Sequence, residues 1–351
     1  MPKQFSHLMV FLWQRLSPRA FSTLFITGLI LSLLSSGWFS GNLLQPNGAG
    51  NSATAAQEFV LRIGHQKFDP LTLVKAKGNL EARLKPLGVN SIEWTEFPSG
   101  PPMLEALNVG SIDFARTGDA PPVIAQAAGV PLVYVGGSAP KDQSSAVVVK
   151  QDSPIKTIAD LKGKKVAFAK SSSANYLIVR VLESNGLTWN DITPVYLAPA
   201  DARAAFEQGS IDAWAIWDPF YAAAQVQAGA RVVRNSSGLV ANRDFYLSTK
   251  GFADKNAAII QQIRAETQAV ANWAVKNPNQ VVDLLSPLLK IDREILNVVT
   301  RRRNYGFEPI TSAMIAEQQA IANTFYKLKL IPKAIKVADA VHPSAIALHA
   351  Q

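Results

Sequence analysis

The sequence predicts an α/β protein built as two hinged lobes, and three observations carry that expectation. One phrase occurs twice: Gly110-Ser111-Ile112-Asp113 to Asp119, and Gly209-Ser210-Ile211-Asp212 to Asp218, align with a constant offset of 99, each with Pro close behind. Strand-like and helix-like runs alternate through most of the chain, which argues for largely parallel sheets. The alternation restarts after a turn at Gln151-Asp152-Ser153-Pro154. With 351 residues, 48% of them hydrophobic, the chain can bury a sizeable core and divide into two lobes.

Residues 1–20 are basic, Phe21 to Ser36 are uncharged and mostly apolar, and small residues surround Ala53-Thr54-Ala55. These are the parts of a secretory signal peptide, with cleavage expected near Ala55. The apolar run is short against the roughly 20 residues of a bilayer span, although Trp38 and Phe39 would extend it into an uncleaved anchor. Either way the working part is expected outside the cytoplasm.

Phe59 to Gly64 alternates as a strand, with His65-Gln66-Lys67 in the loop at its carboxyl edge. A helical run spans Leu71 to Leu84, and Ile92 to Phe97 reads as the second strand. Pro98 to Pro102 turns into a helix that ends at Gly110. The first copy of the phrase follows, with its helix over Ala120 to Ala128. Leu132–Val135 and Ala146–Lys150 are two further strands, and Gln151–Pro154 is the expected crossing into the second lobe. There the expected elements are a short helix at Ile158–Leu161, strand Lys165–Ala169, hydroxyls Ser171-Ser172-Ser173, helix Ala174–Asn185 and strand Ile192–Leu197. Pro199-Ala200-Asp201 opens the next helix, and the second copy arrives. The polar loop Ser236–Asn242, between Val232-Val233 and Phe245-Tyr246-Leu247, marks the return crossing. From Asn256 the chain reads as helical. The expected division is a leader over 1–55, a first lobe from 56–150 plus 246–351, and a second lobe over 151–245.

Each copy of the phrase ends at an Asp with Pro close behind, a helix start: Asp caps free amides and Pro tolerates the first turn. Two lobes that each aim a helix N-terminus past strand ends form an anion-binding cleft. The candidate donors are Gln66, Thr117-Gly118-Asp119 and Ser171-Ser172-Ser173. A micromolar complex needs about 8 kcal/mol. A helix terminus supplies at most about 2 kcal/mol, and each hydrogen bond to a charged group about 1.5–3 kcal/mol. Several donors from both lobes are therefore required. Asp119 and Asp218 read first as caps, because a carboxylate repels an anion, with neighbouring amides as donors. Trp214 and Trp217, three apart on one strand, cannot both face one side; one belongs to the core and the other can wall the cleft. Arg301-Arg302-Arg303 reads as a solvated helix face, with one Arg reaching the cleft as the minority reading.

Other chemistry is constrained by composition. Zero cysteines exclude disulfides, thiolate nucleophiles and lipoprotein anchors, and the four histidines form no cluster. The net charge of +9 is dispersed, with no basic run interleaved with aromatics, so a small anion fits better than nucleic acid.

Val109-Gly110-Ser111-Ile112-Asp113, Thr117-Gly118-Asp119-Ala120-Pro121-Pro122, Leu132-Val133-Tyr134-Val135-Gly136, Pro199-Ala200-Asp201-Ala202-Arg203-Ala204-Ala205-Phe206 and Asp212-Ala213-Trp214-Ala215-Ile216-Trp217-Asp218-Pro219 resemble the aliphatic sulfonate-binding proteins of bacterial ABC importers. The similarity runs from Leu61 to about Val337. It implies a type II periplasmic-binding-protein fold with two crossings that closes on an alkanesulfonate and delivers it to a membrane permease. It also implies that Gln66, Gly118, Asp119, Ser172, Ser173 and Trp217 surround the ligand; Asp218 joins them as a candidate. A monomer without cofactor is expected. Two departures bear on the pocket: His65 stands where the family usually has Tyr, and Arg116 where a small residue is usual. Taurine and nitrate binders share the fold, as do pyrimidine-synthesis enzymes, for which His65 is the one internal histidine available.

Overall fold

The computed structural model describes residues 58–346. The basic and apolar leader and the expected cleavage near Ala55 lie outside the described residues. The chain runs β1 (Phe59–Gln66), α1 (Pro70–Lys77), α2 (Leu80–Leu84), β2 (Val89–Phe97), α3 (Gly100–Asn108), β3 (Phe114–Gly118), α4 (Ala120–Ala127) and β4 (Leu132–Gly137). It continues through β5 (Ser145–Val149), β6 (Lys165–Phe168), α5 (Ser173–Glu183), β7 (Thr193–Tyr196), α6 (Pro199–Gln208), β8 (Ala213–Trp217), α7 (Phe220–Ala228), β9 (Arg231–Asn235) and β10 (Asp244–Thr249). Helices α8 (Lys250–Lys255), α9 (Ala257–Lys276), α10 (Pro278–Leu289), α11 (Arg293–Arg302) and α12 (Ser312–Lys327) follow, the helical end expected from Asn256 onward.

The strands form two five-stranded sheets, ordered β2-β1-β3-β10-β4 and β7-β6-β8-β5-β9. The two orders are one pattern. In each, three parallel strands are followed by a strand from the other end of the chain's excursion, antiparallel to both its neighbours. The repeated phrase lies at equivalent places, for β3 and β8 keep the offset of 99 at both ends. Its Asp residues do equivalent work. Asp113 donates its N–H to Arg62 O (2.8 Å) and accepts from Arg62 N at Oδ2 (2.9 Å). Asp212 makes the same pair with Lys165, at 2.9 and 2.7 Å.

Side-chain alternation places cores on both faces of each sheet. On β10, Tyr246 packs with Leu61, Ile63 and Phe114, whereas Phe245 and Leu247 pack with Tyr134 and Phe325. On β8, Ala213 and Ala215 join Phe168 and Leu177, while Trp214 and Ile216 join Phe206 and Tyr221. Trp214 is thus the core member of the tryptophan pair, 1% exposed, its ring centroid 5.8 Å from that of Phe206.

Two expectations change. The helical run from Leu71 to Leu84 is divided into α1 and α2 because Gly78 takes a left-handed conformation (φ 70°) and ends α1. The strand expected as Ala146–Lys150 in the first lobe is β5 of the second sheet, paired with β8 and β9. The passage between sheets therefore lies at residues 138–144, ahead of the turn at Gln151–Pro154, which only redirects the chain after β5. The return passage, residues 236–243, coincides with the expected polar loop. The passages are tied together: Lys141 N donates to Ala241 O (3.1 Å), and Asn242 Nδ2 donates to Ser145 Oγ (2.6 Å) and Ser144 Oγ (3.1 Å). Among the described residues no helix is long and apolar enough to cross a membrane.

Candidate functional site

The carboxyl ends of β1, β3 and β8, the loop after β6 and both passages between sheets meet around one narrow cleft. Gln66, Gly118, Ser172, Ser173, Trp217 and Asp218 all line it, from both sheets. Asp218 of the second Asp-Pro corner and Pro121 of the first both line this groove, whereas Asp119 does not.

Each donor is held by its own local structure. After β1, Asp69 caps α1: Oδ1 accepts from Thr72 N (2.8 Å) and Oδ2 from Gln66 N (2.7 Å), while Thr72 Oγ1 donates to Gln66 O (2.8 Å). With its backbone thus engaged, Gln66 extends its amide to within 3.5 Å of Thr117 Oγ1. At the start of α5, Ser172 is the cap, accepting from Asn175 N (3.4 Å) and donating to Ala169 O (2.6 Å). Ser173 Oγ is buried and makes no hydrogen bond within 3.5 Å among the described residues, although its hydroxyl lies near enough to the Asp119 carboxyl to oppose the upward push of burial there. It lies directly against Gly118, where a Cβ would overlap it. The two sheets approach closely there, and only glycine on β3 leaves the room.

The two repeated carboxylates part company. Asp119 Oδ1 accepts from Ala120 N (2.8 Å) as the cap of α4, and the residue lines a neighbouring cavity with Tyr176, Arg243 and Gln318 rather than the cleft. Its carboxyl is pushed up by burial. Asp218 lines the cleft, accepts from Ala222 N (3.0 Å) and lies 3.6 Å from Arg302; burial pushes its carboxyl up to about 7 despite that arginine. His65 is outside the cleft lining, its Nδ1 3.0 Å from Thr72 Oγ1 and its ring edge-on to Trp94.

The floor of the cleft was not assembled by sequence reasoning. Asp244, fully buried, is reached by Lys141 Nζ (3.0 Å to Oδ1), Arg303 Nη2 (3.2 Å to Oδ2) and Arg116 Nη2. All four line the cleft. Burial pushes Arg116 down to about 9, with Arg303 adding to the effect, and holds Lys141 well below the usual lysine range with Arg116 and Arg303 reinforcing it. Three buried cations converge on one carboxylate, so the floor is electropositive. Arg303 is the member of the Arg301–Arg303 run that turns inward, Arg302 reaches Asp218, and Arg301 is exposed. Arg116 departs from the family pattern within the motif; Lys141 and Asp244 carry no local signal, one lying in the first passage beside Asp142 and the other opening β10 beside Arg243. Chemically the site offers neutral donors, a positive floor and the half-buried Trp217 ring, a set suited to holding an anion.

Residues 97–281 match the NMT1/THI5-like family. The chain belongs to that family. A relative of Escherichia coli (strain K12), named as an aliphatic sulfonates-binding protein, is 44% identical over 279 residues, covering 79% of this chain and 86% of its own. One of the same name in Bacillus subtilis (strain 168) is 32% identical over 298 residues, covering 84% and 89%. Among solved structures, the alkanesulfonate-binding protein SsuA of Xanthomonas axonopodis pv. citri, bound to MOPS, superposes with a TM-score of 0.78 at 40% identity, over 82% of this chain and 99% of that one. The NMT1/THI5-like chain thus shares the two-lobed α/β fold of these binding proteins, with its cleft where the two sheets' strand ends meet.

Proposed function

We propose that the protein is an extracytoplasmic solute-binding protein that captures aliphatic sulfonates and delivers them to an ABC permease for import. The observation that carries this reading is the convergence of Gln66, Gly118, Ser172 and Ser173, from both sheets, above a buried positive floor. Neutral donors suit a sulfonate, whose charge is spread over three oxygens, and Trp217 offers an apolar wall to the alkyl tail. Lobes formed by residues 58–137 with 244–346 and by residues 145–235 would hinge on the two passages and close over the ligand. The protein would work in the periplasm as a monomer, without cofactor or nucleic acid.

Titration calorimetry with methanesulfonate, longer alkanesulfonates, taurine, nitrate and sulfate tests this directly. Alkanesulfonates are expected to bind at micromolar affinity or better and to outcompete nitrate and sulfate; heat from nitrate alone, or from none of the panel, would reject the reading. A catalytic role on the same fold is disfavoured by His65, whose ring turns to Thr72 and away from the cleft.

A further inference from the structure

We propose that the cleft selects sulfonates bearing a second anionic group, short sulfocarboxylates and disulfonates, over plain alkanesulfonates. This rests on the sulfonate reading and deepens it. The argument is one of charge matching. Arg116, Lys141 and Arg303 are 4%, 6% and 8% exposed, and all three line the cleft. They share one carboxylate, Asp244. Among the described residues, the only other carboxylate within ion-pair range of any of them is Asp69, 3.9 Å from Arg116 Nη1, and its oxygens already accept from Gln66 N and Thr72 N. Lys141 Nζ has as its remaining partner the neutral Asn242 Oδ1, at 3.3 Å. Arg116 Nε and Arg303 Nε are buried with no hydrogen-bond partner among the described residues. An apolar tail would leave this excess positive charge unmatched in a buried site.

A sulfonate head on the serine and glutamine donors brings one negative charge, which balances only part of the charge on the three cations. A carboxylate or second sulfonate on the tail would meet the guanidinium and ammonium groups in charge-assisted hydrogen bonds. Asp218 faces the same space but, with its carboxyl lifted to about 7, repels a second anion less than an ordinary aspartate does. A tail ammonium, as in taurine, would face three cations and be rejected.

Titration calorimetry of the full chain at neutral pH tests the idea, with sulfoacetate, sulfopropionate and ethanedisulfonate against ethanesulfonate, propanesulfonate, isethionate and taurine. The dianions are expected to bind at least tenfold tighter than propanesulfonate, and taurine more weakly than either. Propanesulfonate binding as tightly as sulfoacetate would overturn the inference and leave the sulfonate reading standing; no heat from any sulfonate would overturn both. Lys141→Gln and Arg303→Gln, made separately, should each weaken sulfoacetate binding severalfold more than propanesulfonate binding, with cooperative melting showing that the variants fold. A preference unchanged in both variants would count against the cationic floor as its source. The comparison of ligands on the unaltered protein needs neither variant.

Discussion

Ser172 and Ser173 are neighbours with different tasks. The Ser172 hydroxyl is committed to Ala169 O and Asn175 N, whereas Ser173 Oγ faces Gly118 across the cleft with no hydrogen bond of its own. Ser172→Ala should therefore cost about 1 kcal/mol of stability, the loss of a helix cap, and lower the melting temperature. Ser173→Ala should leave melting unchanged but weaken methanesulfonate binding tenfold or more, the loss of one hydrogen bond to a charged group, about 1.5–3 kcal/mol. Melting curves and calorimetry on the two variants separate these roles, and the opposite pattern would reverse them. The sequence announces both serines through three consecutive hydroxyls ahead of a helix. It also announces one core and one cleft tryptophan by their spacing, and the fold decides which. Arg116, Lys141, Asp244 and Arg303 could not be read together, because β3, the first passage, the start of β10 and the segment after α11 bring them to one point.

At the level of elements, the repeated phrase is a device for starting a strand. Asp113 and Asp212 each bind both backbone groups of one residue on the neighbouring strand, Arg62 and Lys165, and so fix the register of β3 on β1 and of β8 on β6. Asp113 also takes Arg62 Nε (3.0 Å) and Nη2 (2.6 Å), although Arg62 is more than a third exposed and that ion pair adds little. Replacing either Asp by Ala should cost about 1–2 kcal/mol through the lost side-chain acceptor. The double replacement should be additive to within about 0.5 kcal/mol, because the sites lie in different sheets. Denaturant unfolding of the two single variants and the double variant measures this; a neutral Asp212→Ala would mean that the repeat reflects ancestry without structural demand. The repeat was legible because it is local and nearly literal. The place of β5 was not, because its partners β8 and β9 lie some 65 to 90 residues further on and nothing near Gln151 records that pairing.

For the molecule as a whole, the cleft joins two sheets through a set of buried titrating groups, so ligand and protons must be coupled. An anion in the cleft stabilises protonated Asp218 and charged Lys141. Each of these forms is lost as pH rises, Asp218 through about 7 and Lys141 through a value well below the ordinary lysine range. Methanesulfonate itself stays ionised throughout, so its affinity should fall steadily between pH 6 and pH 9, by up to tenfold per pH unit for each group that titrates. Without ligand, Asp218 acts in the same sense on stability. Its folded value of about 7 lies above its ordinary 3.8, so the folded state holds the extra proton between them and stability declines as pH rises across that window. Asp218→Asn removes this group from both linkages. The variant should melt with a flatter pH dependence between about pH 4 and 7, and should retain affinity better than the parent from pH 7 to 8. Calorimetry in two buffers of different ionisation enthalpy reads the proton uptake directly. Uptake should fall in the variant near pH 7, and an affinity independent of pH in the parent would disprove the coupling.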